Sequence, residues 1–186
     1  MARIYTKTGD DGTTGLFYGG RVRKDSAQPV AYGAVDEAQA ALGVVRAFSD
    51  AQEVTDLMVE LERGLYVAMA ELATLPENRS KLKPGLTAIS AEMVGDLERL
   101  IDRYSERFVP PTEFVIPGGT KVGALLDVAR TAVRRAERDS IAVLEPGSEV
   151  GRFLNRLSDL LWVLARWQEG ESLRAREEKR ATNEDE

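Results

Sequence analysis

Neither cysteine nor histidine occurs in the 186 residues of this chain. Without cysteine there is no disulfide, no thiolate nucleophile and no cysteine zinc site. Without histidine the commonest metal ligand and general base are missing. Any chemistry therefore rests on Lys, Arg, Asp, Glu and hydroxyl groups. No apolar run approaches the roughly 18 residues that read as a membrane span, and the opening MARIYTKTGDDG lacks the apolar segment of a secretory signal. A cytoplasmic protein without membrane contact is expected. Cations are in deficit too: 25 Lys and Arg face 31 Asp and Glu, a formal net charge of -6. That balance argues against nucleic acid as a partner while leaving room for a local cationic pocket.

What is present suits one globular domain, since 43% of residues are hydrophobic and 30% charged, enough for a real core. Residues 1–31 are rich in Gly, Thr and charge without helical period, and read as a structured arm. Apolar residues then recur at three and four from Tyr32 to about Ser49 and from Asp50 to about Leu75. PENRSKLKPGL interrupts the pattern, which resumes from Thr87 to about Phe108 and stops at VPPTEFVIPGG. Two more helices are expected, Thr120 to Leu144 and Ser148 to Gln168, separated by EPG. Five helices with short links indicate an all-α, up-and-down five-helix bundle. The expected domain covers 1–170, and the charged stretch 171–186 reads as a disordered tail.

The segment ARTAVRRAER, residues 129–138, holds four arginines in ten residues. At about 100° per residue, Arg130, Arg134, Glu137 and Ile141 share a narrow stripe beside the apolar face of Leu125, Ala129, Val133, Ala136 and Val143. Arg135 points away from both, as a solvated or interface residue. Like charges at i,i+4 cost a few tenths of a kcal/mol, so anions are expected to answer them. Asp36 and Glu37 are one candidate source, placed near the start of the first helix where its dipole favours them; a ligand is another. The fifth helix carries a second polar stripe, Arg152, Asn155, Asp159 and Arg166, within about 60°. On this pattern alone, a solvated face laced with ion pairs is the better account of the fourth helix.

The arm, YTKTGDDGTTGLFYGGRVRKD, offers Lys7, Arg21, Arg23 and Lys24 among threonines and glycines. That is the inventory of a phosphate cradle: backbone N–H groups, hydroxyls and cations. It matches neither the Walker A pattern nor the dinucleotide glycine fingerprint, and DDGT is also a good tight turn.

Taken together, TKTGDDGTTGLFYGGRVRKD, YGAVDE, FVIPGGTKVGALLDVARTAVRRAER and RFLNRLSDLLWVLAR resemble, in order and spacing, the ATP:corrinoid adenosyltransferases of the propanediol-utilisation type, over about residues 3–168. The resemblance implies a five-helix bundle assembled as a homotrimer, with ATP and corrinoid bound between subunits. It implies transfer of the 5′-deoxyadenosyl group of ATP to the cobalt of cob(I)alamin, with Mg²⁺ assisting and triphosphate released. By motif, Thr6, Lys7, Thr8, Gly9 and Asp10 match the nucleotide-wrapping segment and Lys24 a phosphate-binding lysine. Arg134, Glu137 and Asn155 match the remaining nucleotide and magnesium-associated positions. Asp36 and Arg130 match an intersubunit ion pair, and Phe114 an aromatic that keeps the lower ligand off cobalt. A cob(II)alamin reductase and an adenosylcobalamin-dependent enzyme are the implied partners.

That chemistry suits a chain without histidine, because cob(I)alamin is itself the nucleophile and the protein need only align it and stabilise departing charge. On its residues alone, Phe114 reads as ordinary core packing, and only the resemblance turns it toward the corrinoid. Two positions depart from the family: Asp127 stands where histidine is common, and Phe153 where tyrosine is frequent. Neither is expected to abolish the chemistry, though Asp127 bears on corrinoid contacts or trimer packing. A binding protein that delivers nucleotide or finished cofactor, and a purely structural bundle, are competing readings. A carboxylate di-iron bundle is set aside, because it needs the Glu-x-x-His pairs absent here.

Overall fold

The computed structural model describes residues 4–176. After a short hairpin, β1 (Thr13–Gly15) against β2 (Arg21–Arg23), come five helices: α1 (Ala27–Phe48), α2 (Gln52–Leu72), α3 (Ala91–Ser105), α4 (Lys121–Ser140) and α5 (Val150–Glu169). Two further strands, β3 (Val115–Ile116) and β4 (Leu173–Arg174), pair antiparallel. The expected helical bundle is present, with α4 packed between α1 and α5, α2 on the far side of α1, and α3 on α5.

Local chemistry sets the ends of these helices, and it moves several from their expected positions. Helix α1 begins five residues before Tyr32, inside the expected arm, with Ser26 at its N-cap. Pro29 sits in the first turn, where a missing N–H leaves no intrahelical bond unmade. Asp36 and Glu37 therefore lie in the third turn, beyond the reach of the helix dipole, and the first turn holds no acidic residue. Helix α3 starts only at Ala91, where Ser90 accepts from the Met93 N–H. Thr120 caps α4 by accepting from the Gly123 N–H at 3.0 Å. The continuous helix expected to Leu144 tightens after Ser140 into a 3₁₀ turn, Ile141–Val143.

The core is a continuous apolar interior. Leu42 and Val35 of α1, Met58 and Leu65 of α2, Leu126 and Val133 of α4, and Leu154, Leu157, Leu160, Leu161 and Leu164 of α5 are all fully buried. Burying one such side chain contributes about 1.5–3 kcal/mol relative to exposure. On α4, Leu126 takes the central place and Leu125 is only half-buried.

The hairpin is fastened to the end of α2. Phe17 N–H donates to the Ala73 carbonyl at 2.9 Å, and Leu16 is buried. Gly20, at φ 94°, lies where a Cβ would come within 2.5 Å of Leu75 Cδ1. At the other end of the chain, residues 173–174, expected in the tail, are instead paired with Val115 and Ile116. The remainder of that expected tail, 177–186, lies outside the described residues.

Candidate active site

Three groups of chemistry-bearing residues stand apart on this frame. The first is the arm. Thr6, Lys7, Thr8, Gly9, Asp10, Arg21 and Lys24 line a shallow hollow of about 290 Å³. Arg21 braces it, donating to the Thr8 carbonyl at 2.6 Å and to Thr13 Oγ1. Asp11 accepts from Thr13 Oγ1 and N–H at 2.7 and 2.9 Å, and those bonds hold its carboxyl below the ordinary range. Lys7 adopts a left-handed φ of 61°, rare for a residue with a side chain. Gly9 has a steric role: a Cβ there would lie 3.2 Å from Lys24 Nζ and 3.0 Å from the Thr13 carbonyl. The hollow thus gathers the two lysines, hydroxyls and backbone amides that suit an oligophosphate.

The second group joins α4 and α5. Asn155 Nδ2 donates to Glu137 Oε1 at 3.0 Å, while Arg156 Nη1 donates to Asn155 Oδ1 at 2.7 Å. Arg134, one turn before Glu137, is exposed, and its guanidinium has no partner among the described residues. Sequence spacing placed these three residues on facing edges, and the fold brings Glu137 and Asn155 into contact. No hydrogen bond or ion pair among the described residues joins this group to the arm.

The third group surrounds Phe114. A hollow of about 540 Å³ is lined by Phe114, Val115, Pro117, Asp127, Arg130, Trp162 and Arg166. Phe114 is 90% exposed at its edge, so it is no core residue. Asp127 is buried and bridges two cations: its Oδ1 accepts from Arg130 Nε at 2.9 Å and its Oδ2 from Arg166 Nη2.

Arg166 corrects a sequence expectation. Helical spacing assigned it to the polar edge with Arg152, Asn155 and Asp159, yet it is 1% exposed. Asp127 and Glu169 supply the opposing charge that lets it be interior. A second correction concerns the anions facing α4. Asp36 is exposed and pairs with nothing among the described residues, whereas Glu37 pairs with Arg135, the arginine expected to stand apart. Arg130 is answered by Asp127 of its own helix, and among the described residues it makes no pair with Asp36. Glu169 carries no signal in the sequence: it accepts from the backbone N–H groups of Gly118 and Gly119 at 3.1 and 2.9 Å, loop amides that no local pattern reveals.

Among the described residues no cluster of three or more Asp and Glu side chains could hold a metal by itself. No helix among them is long and apolar enough to cross a membrane.

The fold is thus a helical bundle that presents a hollow suited to phosphate, a carboxylate–amide pair and an exposed aromatic beside the buried Arg166. The sequence profile of cobalamin adenosyltransferases matches residues 4–168. The chain is 44% identical to the corrinoid adenosyltransferase of Citrobacter freundii over 172 residues, covering 91% of this chain and 96% of that protein. It is 41% identical to that of Mycobacterium tuberculosis H37Rv over 172 residues, 89% and 88% of the two chains. Among solved structures, a phenylalanine-to-alanine variant of the PduO-type ATP:corrinoid adenosyltransferase from Lactobacillus reuteri, complexed with cobalamin and ATP, superposes with a TM-score of 0.85 at 28% identity, covering 94% of this chain and 100% of that one. An arginine-to-lysine variant of the same enzyme complexed with ATP gives 0.82 at 29% identity, over 93% and 100%. The chain belongs to the cobalamin adenosyltransferase family.

Proposed function

We propose that this protein transfers the 5′-deoxyadenosyl group of ATP to the cobalt of cob(I)alamin or a related corrinoid. The cobalt electron pair forms the bond to C5′, the C5′–O bond breaks, and its electron pair leaves with triphosphate. Cobalt passes formally from Co(I) to Co(III), and no proton needs to be removed. The observation that carries this reading is the exposed Phe114 ring at a hollow backed by Arg130, Asp127 and Arg166, in a family-matched chain that has no histidine or cysteine to act as base or nucleophile.

Each group of residues then has a task. Thr6, Lys7, Thr8, Gly9, Asp10 and Lys24 wrap the nucleotide, and the lysines with Arg134 stabilise triphosphate, each charge-assisted contact contributing about 1.5–3 kcal/mol. Glu137, oriented by Asn155, would hold a magnesium ion through water. The donor set fits that role: one carboxylate is too few for a standing metal site, but Mg²⁺ keeps its waters and arrives on phosphates. When bound, the ion adds positive charge where triphosphate departs.

The separation of the arm from Arg134 and Glu137 supports a site completed by a second subunit, and Asp36, which has no partner among the described residues, supports a contact with Arg130 of a neighbouring copy. A homotrimer closes such a head-to-tail contact. Phe114 occupies the lower face of the corrinoid and excludes water or the benzimidazole base, easing reduction of cob(II)alamin. A reductase must supply that electron, and an adenosylcobalamin-dependent enzyme consumes the product. The demand for strong reductant favours a cytoplasmic location.

The test is the anaerobic spectrum of cob(I)alamin mixed with Mg-ATP and protein, followed by photolysis. A light-sensitive adenosylcobalamin spectrum with stoichiometric triphosphate is the expected result. Persistence of the reduced corrinoid despite verified ATP binding would overturn it in favour of a binding or delivery protein.

A further inference from the structure

The loop that presents Phe114 is held from an unexpected direction. Phe114 itself is 90% exposed, so side-chain packing does not fix its depth. Its backbone must. On one side, Ala175 N–H donates to the Phe114 carbonyl at 2.7 Å, and β3 pairs with β4 immediately afterwards. On the other, Glu169 Oε1 accepts from the N–H groups of Gly118 and Gly119 at 3.1 and 2.9 Å. Both restraints come from one stretch, residues 169–175, at the end of α5.

Glu169 also closes a line of alternating charge. Arg130 meets Asp127, Asp127 meets Arg166, and Arg166 Nε lies 3.1 Å from Glu169 Oε2. The Arg166 and Glu169 side chains are each 1% exposed. Their facing Nε and Oε2 atoms are nonetheless too poorly aligned for a hydrogen bond, and neither has another hydrogen-bond partner among the described residues. A buried ion pair of that quality is a weak source of stability, because desolvation offsets much of the attraction. What the pair does achieve is placement. The Glu169 carboxylate lies across the N-terminus of α4, where the helix dipole favours a negative charge. Two glycines keep the space open: a Cβ at Gly119 would come within 3.2 Å of Glu169 Cγ, and one at Gly123 within 2.8 Å.

We infer that Glu169 is a positioning residue for the corrinoid side of the site: braced by Arg166 and Asp127, it fastens the Gly118–Gly119 turn and so sets how far Phe114 enters the hollow. The inference rests on the role proposed for Phe114. Loss of Glu169 should free the loop and let a lower ligand return to cobalt, while the nucleotide arm on the far end of α2 is untouched.

The experiment compares full-length wild type with Glu169→Ala, Glu169→Gln, Gly123→Ala and Phe114→Ala, each checked for thermal melting. The readouts are the fraction of ATP-dependent cob(II)alamin lacking its lower ligand, by absorption and electron paramagnetic resonance, and kcat and KM with cobalamin and cobinamide. Cobinamide has no tethered base to exclude. Glu169→Ala is expected to lower the ligand-free fraction and to reduce kcat with cobalamin about 10-fold, misplacement of a reacting partner by an ångström being worth up to about 100-fold. The loss with cobinamide should be less than about threefold and KM for ATP should stay within about twofold, because the nucleotide contacts remain. Gly123→Ala should reproduce this pattern by displacing Glu169 sterically, and Glu169→Gln, which retains an acceptor for the two amides, should recover part of the activity. An unchanged ligand-free fraction in a folded Glu169→Ala protein, or equal losses with both corrinoids, overturns the inference. If Phe114→Ala is impaired but Glu169→Ala is not, only the role of Glu169 falls; if Phe114→Ala is also silent, the reading of Phe114 falls with it.

Discussion

Asn155 Nδ2 donates to Glu137 Oε1 at 3.0 Å, so the carboxylate proposed to face magnesium is oriented by a side chain from the neighbouring helix. Asn155→Ala removes that donor and also leaves Arg156 Nη1 without the Asn155 acceptor. Stability should fall by about 1 kcal/mol, and kcat/KM by about 100-fold through misalignment. Arg134→Ala offers the contrast: its guanidinium has no partner among the described residues, so stability should move by less than about 0.5 kcal/mol. Its kcat should nevertheless fall about 100-fold or more as charge on triphosphate goes unanswered. Thermal melts beside steady-state assays check both, and full turnover in either variant would remove that residue from the site.

Gly9→Ala probes the arm without deleting a charge. The new methyl would press on Lys24 Nζ at 3.2 Å and the Thr13 carbonyl at 3.0 Å, so Lys24 must yield. KM for ATP should rise about 10-fold, one charge-assisted contact, with KM for corrinoid little changed. Titration with a non-hydrolysable ATP analogue separates binding from turnover.

Acid stability should depend on Glu53. Arg107 donates to it at 2.5 Å and Tyr104 Oη at 2.9 Å, and these bonds, Arg107 foremost, hold its carboxyl below the ordinary glutamate range. A depressed folded-state pKa contributes stability above the unfolded value of about 4.3 that is lost as pH falls through the folded value. Glu53→Gln should therefore be less stable than wild type at neutral pH, with the difference shrinking below about pH 4. Denaturant midpoints measured from pH 7 to pH 3 give the slope; parallel curves for the two proteins would count against the assignment.

Gly64→Ala tests the core away from all three groups. Its Cβ would stand 2.7 Å from Phe153 Cζ, a fully packed ring on α5. Overpacking of this kind costs about 1–3 kcal/mol, partly offset by the better helix propensity of alanine. Melting temperature should drop while kcat of the remaining folded enzyme holds.

Periodicity at three and four was enough to read five helices, because an amphipathic helix records its buried face in the order of its own residues. The arm's cations and the Glu137 and Asn155 edges were legible for the same reason: each is a local pattern. Partner choice was not. Arg166 looks like a polar-edge residue on α5 alone, and only the arrival of Asp127 from α4 and Glu169 from the next turn makes its burial tolerable. Glu37 rather than Asp36 meets α4 because adjacent residues on a helix point about 100° apart, and how α1 crosses α4 decides which one faces Arg135. The start of α1 at Ala27 was hidden by Pro29, which ends a helix from within but fits its first turn. The clasp of residues 169–175 on the Phe114 loop was hidden altogether, since backbone amides of Gly118 and Gly119 carry no side-chain signal and acquire a partner only when two distant ends of the bundle meet.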